Sequence, residues 1–214
     1  MRLRGTTPSP PNAPLSTRDL KDRAEDAARR LRQEPGRLDL ALELAQTLER
    51  LGEYRDALRV LERMAGRGAA TPELVRLRAE CMRRVGKPVE AVALLDASHD
   101  MLRESVPGWI TRARCLADAG RIEESVEAAR EATRLEPETA EAQYALGVAL
   151  ARAGRAHEAE QAYHRALRID PDLAKAHINL GILFDQLGRK EEAVAALRRA
   201  TVCDPDCAAG HANL

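Results

Sequence analysis

Cys203, Cys207 and His211 are the densest group of soft metal-ligand residue types in the chain, with Asp204 and Asp206 between the two thiols. Cys207 and His211 are four residues apart, so on a helix both would face one ion. A fourth ligand is not at hand, since His177 lies well upstream, and an unliganded thiol packs as a small hydrophobe. Cys203 is therefore expected in a core position. Cys81 and Cys115 are read as packing residues rather than redox partners. His99, His157 and His164 have polar neighbours and are expected at the surface. The many carboxylates have Arg three or four residues away, the spacing of solvated helix faces rather than of an acid/base pair. Glycine-rich phosphate loops, zinc-protease motifs and nucleophile elbows do not occur in the sequence. The expectation is a chain with no catalytic residues, no metal and no cofactor.

Whatever chemistry remains must come from surfaces, and so from the elements that present them. The 214 residues are 44% hydrophobic, 2% aromatic and 32% charged. So little aromatic bulk with so much charge points to long helices with narrow apolar stripes, not to a β-sandwich. Lys plus Arg equals Asp plus Glu at 34 each. That zero balance argues against a nucleic-acid or membrane-surface binder, which needs surplus positive charge. No apolar run is long enough for a membrane helix, and no secretory leader is evident, so a cytoplasmic location is expected. Arginine outnumbers lysine thirty to four along the whole chain, which suggests a GC-rich bacterial genome.

Gly52, Gly86, Gly120, Gly154 and Gly188 stand 34 residues apart. This period divides the chain into five units, 38–71, 72–105, 106–139, 140–173 and 174–207, each predicted to hold two helices. The glycine is the fifteenth residue, where it can end the first helix. Eighth positions are small (Ala45, Ala79, Ala113, Gly147, Gly181), as are twentieth positions (Ala57, Ala91, Ser125, Ala159, Ala193). Small residues there let antiparallel helices approach closely. Larger residues at positions eleven and twenty-four, such as Leu150, Phe184, Tyr163 and Leu197, are expected to fill the gaps. Pro137, Pro171 and Pro205 end second helices. Residues 1–15 are Pro-rich and expected to be disordered. Ser16 should cap a helix, and 16–37 is read as an N-terminal capping segment with an Ala24, Ala27, Ala28 and Leu31 stripe. Residues 208–214 start a sixth repeat or a truncated cap.

The pattern resembles the tetratricopeptide repeat. Leu146-Gly147, Gly154, Ala159, Tyr163, Ala166 and Pro171 carry the resemblance in one unit. Leu180-Gly181, Gly188, Ala193, Ala200 and Pro205 carry it in the next, and Trp109 supplies the aromatic at position four. The resemblance implies an all-α, right-handed solenoid of antiparallel helix pairs whose first helices line a concave groove. It also implies a protein-interaction role. Some positions depart from the pattern. Units one and two lack the terminal proline, Gly66-Arg67-Gly68 should stop a helix early, and Arg78 and Arg112 replace leucine at position seven. Each of these arginines must reach water or find a carboxylate.

The resemblance places positions two, five, six, nine, twelve and thirteen of each first helix on the groove. In units one and two these are charged and mixed, among them Glu80, Leu77, Arg83 and Arg84. In units three to five they include Ile110, Arg114, Tyr144, Val148, Lys175, Ile178, Asn179 and Ile182. Apolar residues gathered on a concave wall suggest a bound segment, so these eight are the candidate ligand-binding residues. The basic clamp with which some family members grip a C-terminal carboxylate is absent. The expected function is a non-catalytic scaffold that binds a protein or peptide partner in its groove. Two alternatives stand beside it. One is the substrate-recruiting region of a longer enzyme, such as a glycosyl- or sulfotransferase. The other is a solenoid that self-assembles through its C-terminal end.

Overall fold

The computed structural model describes residues 15–204, which hold twelve helices and no strand. The proline-rich start, Cys207, His211 and the beginning of a sixth repeat lie outside the described residues. The chain divides between Ala69 and Ala70 into two compact units.

The first unit contains α1 (Thr17–Gln33), α2 (Leu38–Arg50) and α3 (Tyr54–Gly66), with α2 packed against both others. Ser16 starts α1 through a reciprocal cap. The Asp19 amide donates to Ser16 Oγ at 3.2 Å, and the Ser16 amide donates to Asp19 Oδ2 at 3.1 Å. Leu20, Ala24 and Ala27 are buried, whereas Ala28 and Leu31 are half-buried at the edge of the stripe. The core continues through Leu40, Ala41, Leu44 and Ala45 to Ala57, Leu58, Leu61 and Met64. After α3 ends at Gly66, Gly68 adopts φ +87°, a left-handed conformation that removes the chain from the helix.

The second unit is a row of helix pairs. It contains α4 (Pro72–Arg84), α5 (Pro88–Ala97), α6 (His99–Leu102), α7 (Val106–Asp118), α8 (Ile122–Leu135), α9 (Ala140–Arg152), α10 (Ala156–Ile169), α11 (Ala174–Gln186) and α12 (Lys190–Cys203). Partners in a pair pack closely, and the first helices α4, α7, α9 and α11 lie in sequence beside one another. One core runs through the unit, from Val75 and Leu95 past Leu116 and Leu150 to Leu180 and Phe184. The five period glycines all adopt φ between +72° and +86°. At Gly154 the Arg155 amide reaches Leu150 O at 2.9 Å and the Gly154 amide reaches Ala151 O at 3.0 Å. These bonds satisfy the last carbonyls of α9 and turn the chain into α10.

Three local expectations need correction. The period predicts one continuous second helix in unit 72–105, but that helix breaks at Ser98 into α5 and α6. Ser98 occupies position twenty-seven, where Met64, Ala132, Ala166 and Ala200 are buried at 3% exposure or less. A half-buried serine offers that contact nothing apolar. The broken end is held instead by Trp109, whose Nε1 donates to Arg103 O at 2.9 Å and whose ring meets His99 edge-on. Cys203 is half-buried, not in the core, with its Sγ 3.8 Å from Asp172. Leu77, expected on the groove, is fully buried. The two arginines at position seven resolve differently. Arg112 pairs with Asp96 at 2.6 Å and lies over Trp109, while Arg78 Nε is buried without a hydrogen-bond partner.

Candidate functional site

The first helices of the second unit enclose a cleft of about 280 Å³. Its floor is made of small residues, Ala113 and Ala117 of α7 with Ala145 and Ala149 of α9. Small side chains at these points let neighbouring helices come close and leave room above them. Tyr144 and Val148 stand at one side, both half-buried. Arg83 of α4, Arg114 of α7, Arg152 of α9 and Lys175 of α11 surround the floor, with Asp118 as the single carboxylate among the lining residues.

Two ion-pair chains hold these cations. In the first, Arg83 forks onto Glu80 (2.6 and 3.0 Å) and reaches Asp118 with Nη1 at 2.5 Å. Asp118 also accepts from Arg152 Nη1 at 2.7 Å. In the second, Glu141 accepts from both Arg114 and Lys175. Burial by itself would raise the carboxyls of Glu80, Asp118 and Glu141. For Glu80 the Arg83 fork outweighs it; Arg152 and Arg83 do so for Asp118, and Lys175 and Arg114 for Glu141. All three groups are held below their ordinary range and stay ionised.

Lys175 Nζ also sits 4.7 Å from the centre of the Tyr144 ring, a cation–π contact. Asn179 Nδ2 donates to the Tyr144 hydroxyl at 3.2 Å. Burial pushes the Tyr144 phenol up, against the pull of Arg114. Tyr144 is thus oriented from α11, the next first helix, at both its face and its tip.

The eight candidate residues divide into three groups. Arg114, Tyr144, Val148 and Lys175 come together at the cleft. Asn179 reaches it only through the Tyr144 hydroxyl; Ile178 is half-buried and Ile182 is 37% exposed, and both belong to α11 outside the cleft lining. Ile110 is a correction. It is 4% exposed and clusters with Val106, Ala132, Ala142 and Ala145, so no guest can reach it. Arg114 and Lys175 both engage Glu141.

Asp118 and Arg152 were not picked out from the sequence, though a signal was there. They share position thirteen of consecutive repeats, and Glu141 and Lys175 share position two. Equal positions stack in adjacent first helices, so opposite charges one period apart meet.

With this geometry in view, the chain belongs to the tetratricopeptide repeat family. One family model of that description matches residues 42–100 and 110–174, and another matches 150–214. No curated protein matches the chain in sequence. Several solved structures share the fold. TTC0263, a thermophilic tetratricopeptide repeat protein of Thermus thermophilus, is 21% identical with a TM-score of 0.74, over 80% of this chain and 94% of its own. YrrB, described as having an unusual peptide-binding site, is 18% identical with a TM-score of 0.56, over 88% and 98%. A chain of the Cut9–Hcn1 hetero-tetramer of APC/C is 13% identical with a TM-score of 0.76, over 92% of this chain but 39% of its own. At these identities the likeness is one of fold. Among the described residues no helix is long and apolar enough to cross a membrane.

Proposed function

We propose that this chain is a non-catalytic, cytoplasmic interaction module of a bacterium, and that it holds a segment of a partner protein on the first-helix face of its second unit. The observation that carries the reading is the cleft itself. An alanine floor beside half-buried Tyr144 and Val148 is a ready seat for one or two side chains of a guest. YrrB, with its named peptide-binding site, gives a fold-level parallel. The titratable groups suit recognition better than proton transfer. Glu80, Asp118 and Glu141 are fixed in ion pairs below their ordinary range, far from the poise an acid/base catalyst needs near neutral pH.

The test is to fill the cleft rather than to remove contacts. Ala117 is half-buried on the floor, so Ala117→Phe should occupy the space with little cost to the fold. Random displayed peptides selected on the wild-type protein should lose binding to this variant while its melting temperature holds. Selected peptides that bind the filled variant equally well would remove the cleft from the proposal, and a library with no binders would remove peptide capture.

A second reading has its own observation. Ile182, Leu187, Val194 and Val202 are exposed aliphatics on or next to the last described helix pair. Self-association through that end would bury them. Light scattering that shows a monomer over a wide concentration range would dispose of it.

A further inference from the structure

Arg83, Arg114, Arg152 and Lys175 are drawn from four successive first helices and converge on one cleft, where Asp118 is their only lining counter-charge. Glu80, paired with Arg83, and Glu141, paired with Arg114 and Lys175, neutralise part of this charge, which leaves four cations to three carboxylates. We infer that the cleft selects an acidic protein segment, with an apolar side chain seated on the alanine floor and carboxylates on either side that engage Arg152 and Lys175. This rests on the peptide-capture reading above and adds the chemistry of the guest.

The four cations differ in freedom, and the difference assigns their roles. The Arg83 side chain is 15% exposed and locked on Glu80 and Asp118, so it is a fixed charge at the base. Those of Arg152 and Lys175 are 47% and 41% exposed, and each has an ion-pair contact with one carboxylate, Asp118 and Glu141 respectively. Exposed pairs are worth little and reform readily. A guest carboxylate can therefore draw these two cations over without stranding a buried charge, since Arg83 keeps Asp118 paired and Arg114 keeps Glu141 paired. A basic guest would add its charge to a site where four cations face three carboxylates, all three already paired.

The dimensions favour a chain over a small metabolite. Neighbouring packed helices are roughly 8–10 Å apart, so four in a row span on the order of 25–30 Å. An extended strand rises about 3.3 Å per residue, so roughly nine residues cover that distance. The floor is apolar and made of alanines, with Tyr144 as the only aromatic in the lining, which suits a leucine-sized side chain between charges better than a stack of nucleobases.

Three labelled peptides of roughly nine residues provide the test, each with a central leucine flanked by glutamates, glutamines or lysines. Fluorescence anisotropy at low ionic strength should show the glutamate peptide bound about tenfold or more tighter than the glutamine one, with the lysine peptide unbound. Added salt should erode that preference. Arg152→Gln with Lys175→Gln should level the glutamate and glutamine peptides, while Arg59→Gln, on α3 of the other unit, should leave the preference intact. If the glutamine or lysine peptide binds as well as the glutamate one, the charge selection is wrong although peptide capture stands. If none of the three binds, the inference falls, and peptide capture is then judged by the random library. An oligo-dT strand that binds as tightly as the glutamate peptide would overturn it in favour of a nucleic-acid site.

Discussion

The α7–α8 and α9–α10 pairs make the same crossing with opposite distributions of bulk. In α7–α8 the facing residues are all small: Ala113 at position eight, Ser125 at twenty and Ala129 at twenty-four, each buried. The Ser125 hydroxyl fills the gap and donates to Ala113 O at 2.8 Å. In α9–α10 position twenty-four is Tyr163, fully buried, and position eight is Gly147. A Cβ on Gly147 would lie 2.5 Å from the Tyr163 ring. The last pair repeats this arrangement with Gly181 and Leu197, at 2.7 Å. One crossing is closed by a hydrogen bond between small residues, the other by a ring laid on bare backbone. In the α9–α10 and α11–α12 pairs the size permitted at position eight is thus limited by the partner sixteen residues later, whereas Ala45 with Leu61 and Ala79 with Leu95 join alanine to leucine at the same two positions.

The comparison can be broken most severely by removing the ring. Tyr163→Ala should cost about 3–5 kcal/mol, because it deletes a large buried side chain and leaves a cavity against Gly147. Trp109 is the sole tryptophan and lies in the second unit, so its fluorescence during urea unfolding reports on the unit that matters. A change below about 1 kcal/mol would mean that the pair closes over the loss.

Gly147→Ala comes next, at about 1–3 kcal/mol, since one methyl group forces the Tyr163 ring or the helix axis to move. Combining it with Tyr163→Ala recreates the small–small pairing of α7–α8. The double variant should then be no less stable than Tyr163→Ala alone, a coupling expected of residues in contact. Additive losses would show that the two positions do not constrain one another.

Much of this was legible in the sequence, and the limits have physical causes. The 34-residue period fixed which residues share a face, and it placed the glycine turns, the small positions and Tyr163. It could not fix depth. Ile110, Tyr144 and Ile178 share position five, yet Ile110 is sealed beneath Ala142 and Ala145 while the other two stay half-buried. The break at Ser98 also escaped, because a serine in a helical pattern is ordinary until the contact expected at that position is known. The ion-pair chains escaped because pairing was sought at i+3 and i+4 within helices. Three of the pairs that build the cleft lie one repeat period apart, give or take a residue, namely Asp118 with Arg152, Glu141 with Lys175 and Arg83 with Asp118, while Arg114 reaches Glu141 across 27 residues.

Ser125→Ala probes the other side of the comparison. The lost hydroxyl donates to Ala113 O, and alanine already serves at the same position in the other repeats. The cost should be about 0.5–1.5 kcal/mol, the net worth of a single hydrogen bond. A loss as large as that of Gly147→Ala would place the hydroxyl, not the small size, at the centre of this crossing.

The smallest effect is expected from acid, and it separates the apolar crossing within a pair from the ion pairs on the first-helix face. Glu80 is buried, which alone would raise its carboxyl above the ordinary 4.5; the Arg83 fork, aided by Arg114 and Arg84, brings it below that value. A carboxyl whose folded value is depressed adds stability above its unfolded value, and that share is lost as pH falls through the folded one. The second unit should therefore weaken as pH drops below about 4.5, with Asp118 and Glu141 contributing in the same direction. Glu80→Gln removes one share, so its deficit against wild type should be largest near neutral pH and shrink in acid. Gly147→Ala involves no titrating group, so its deficit should stay constant over the same range. If the Glu80→Gln deficit were equally constant, the Arg83 fork would add nothing to stability and its place would be in the cleft alone.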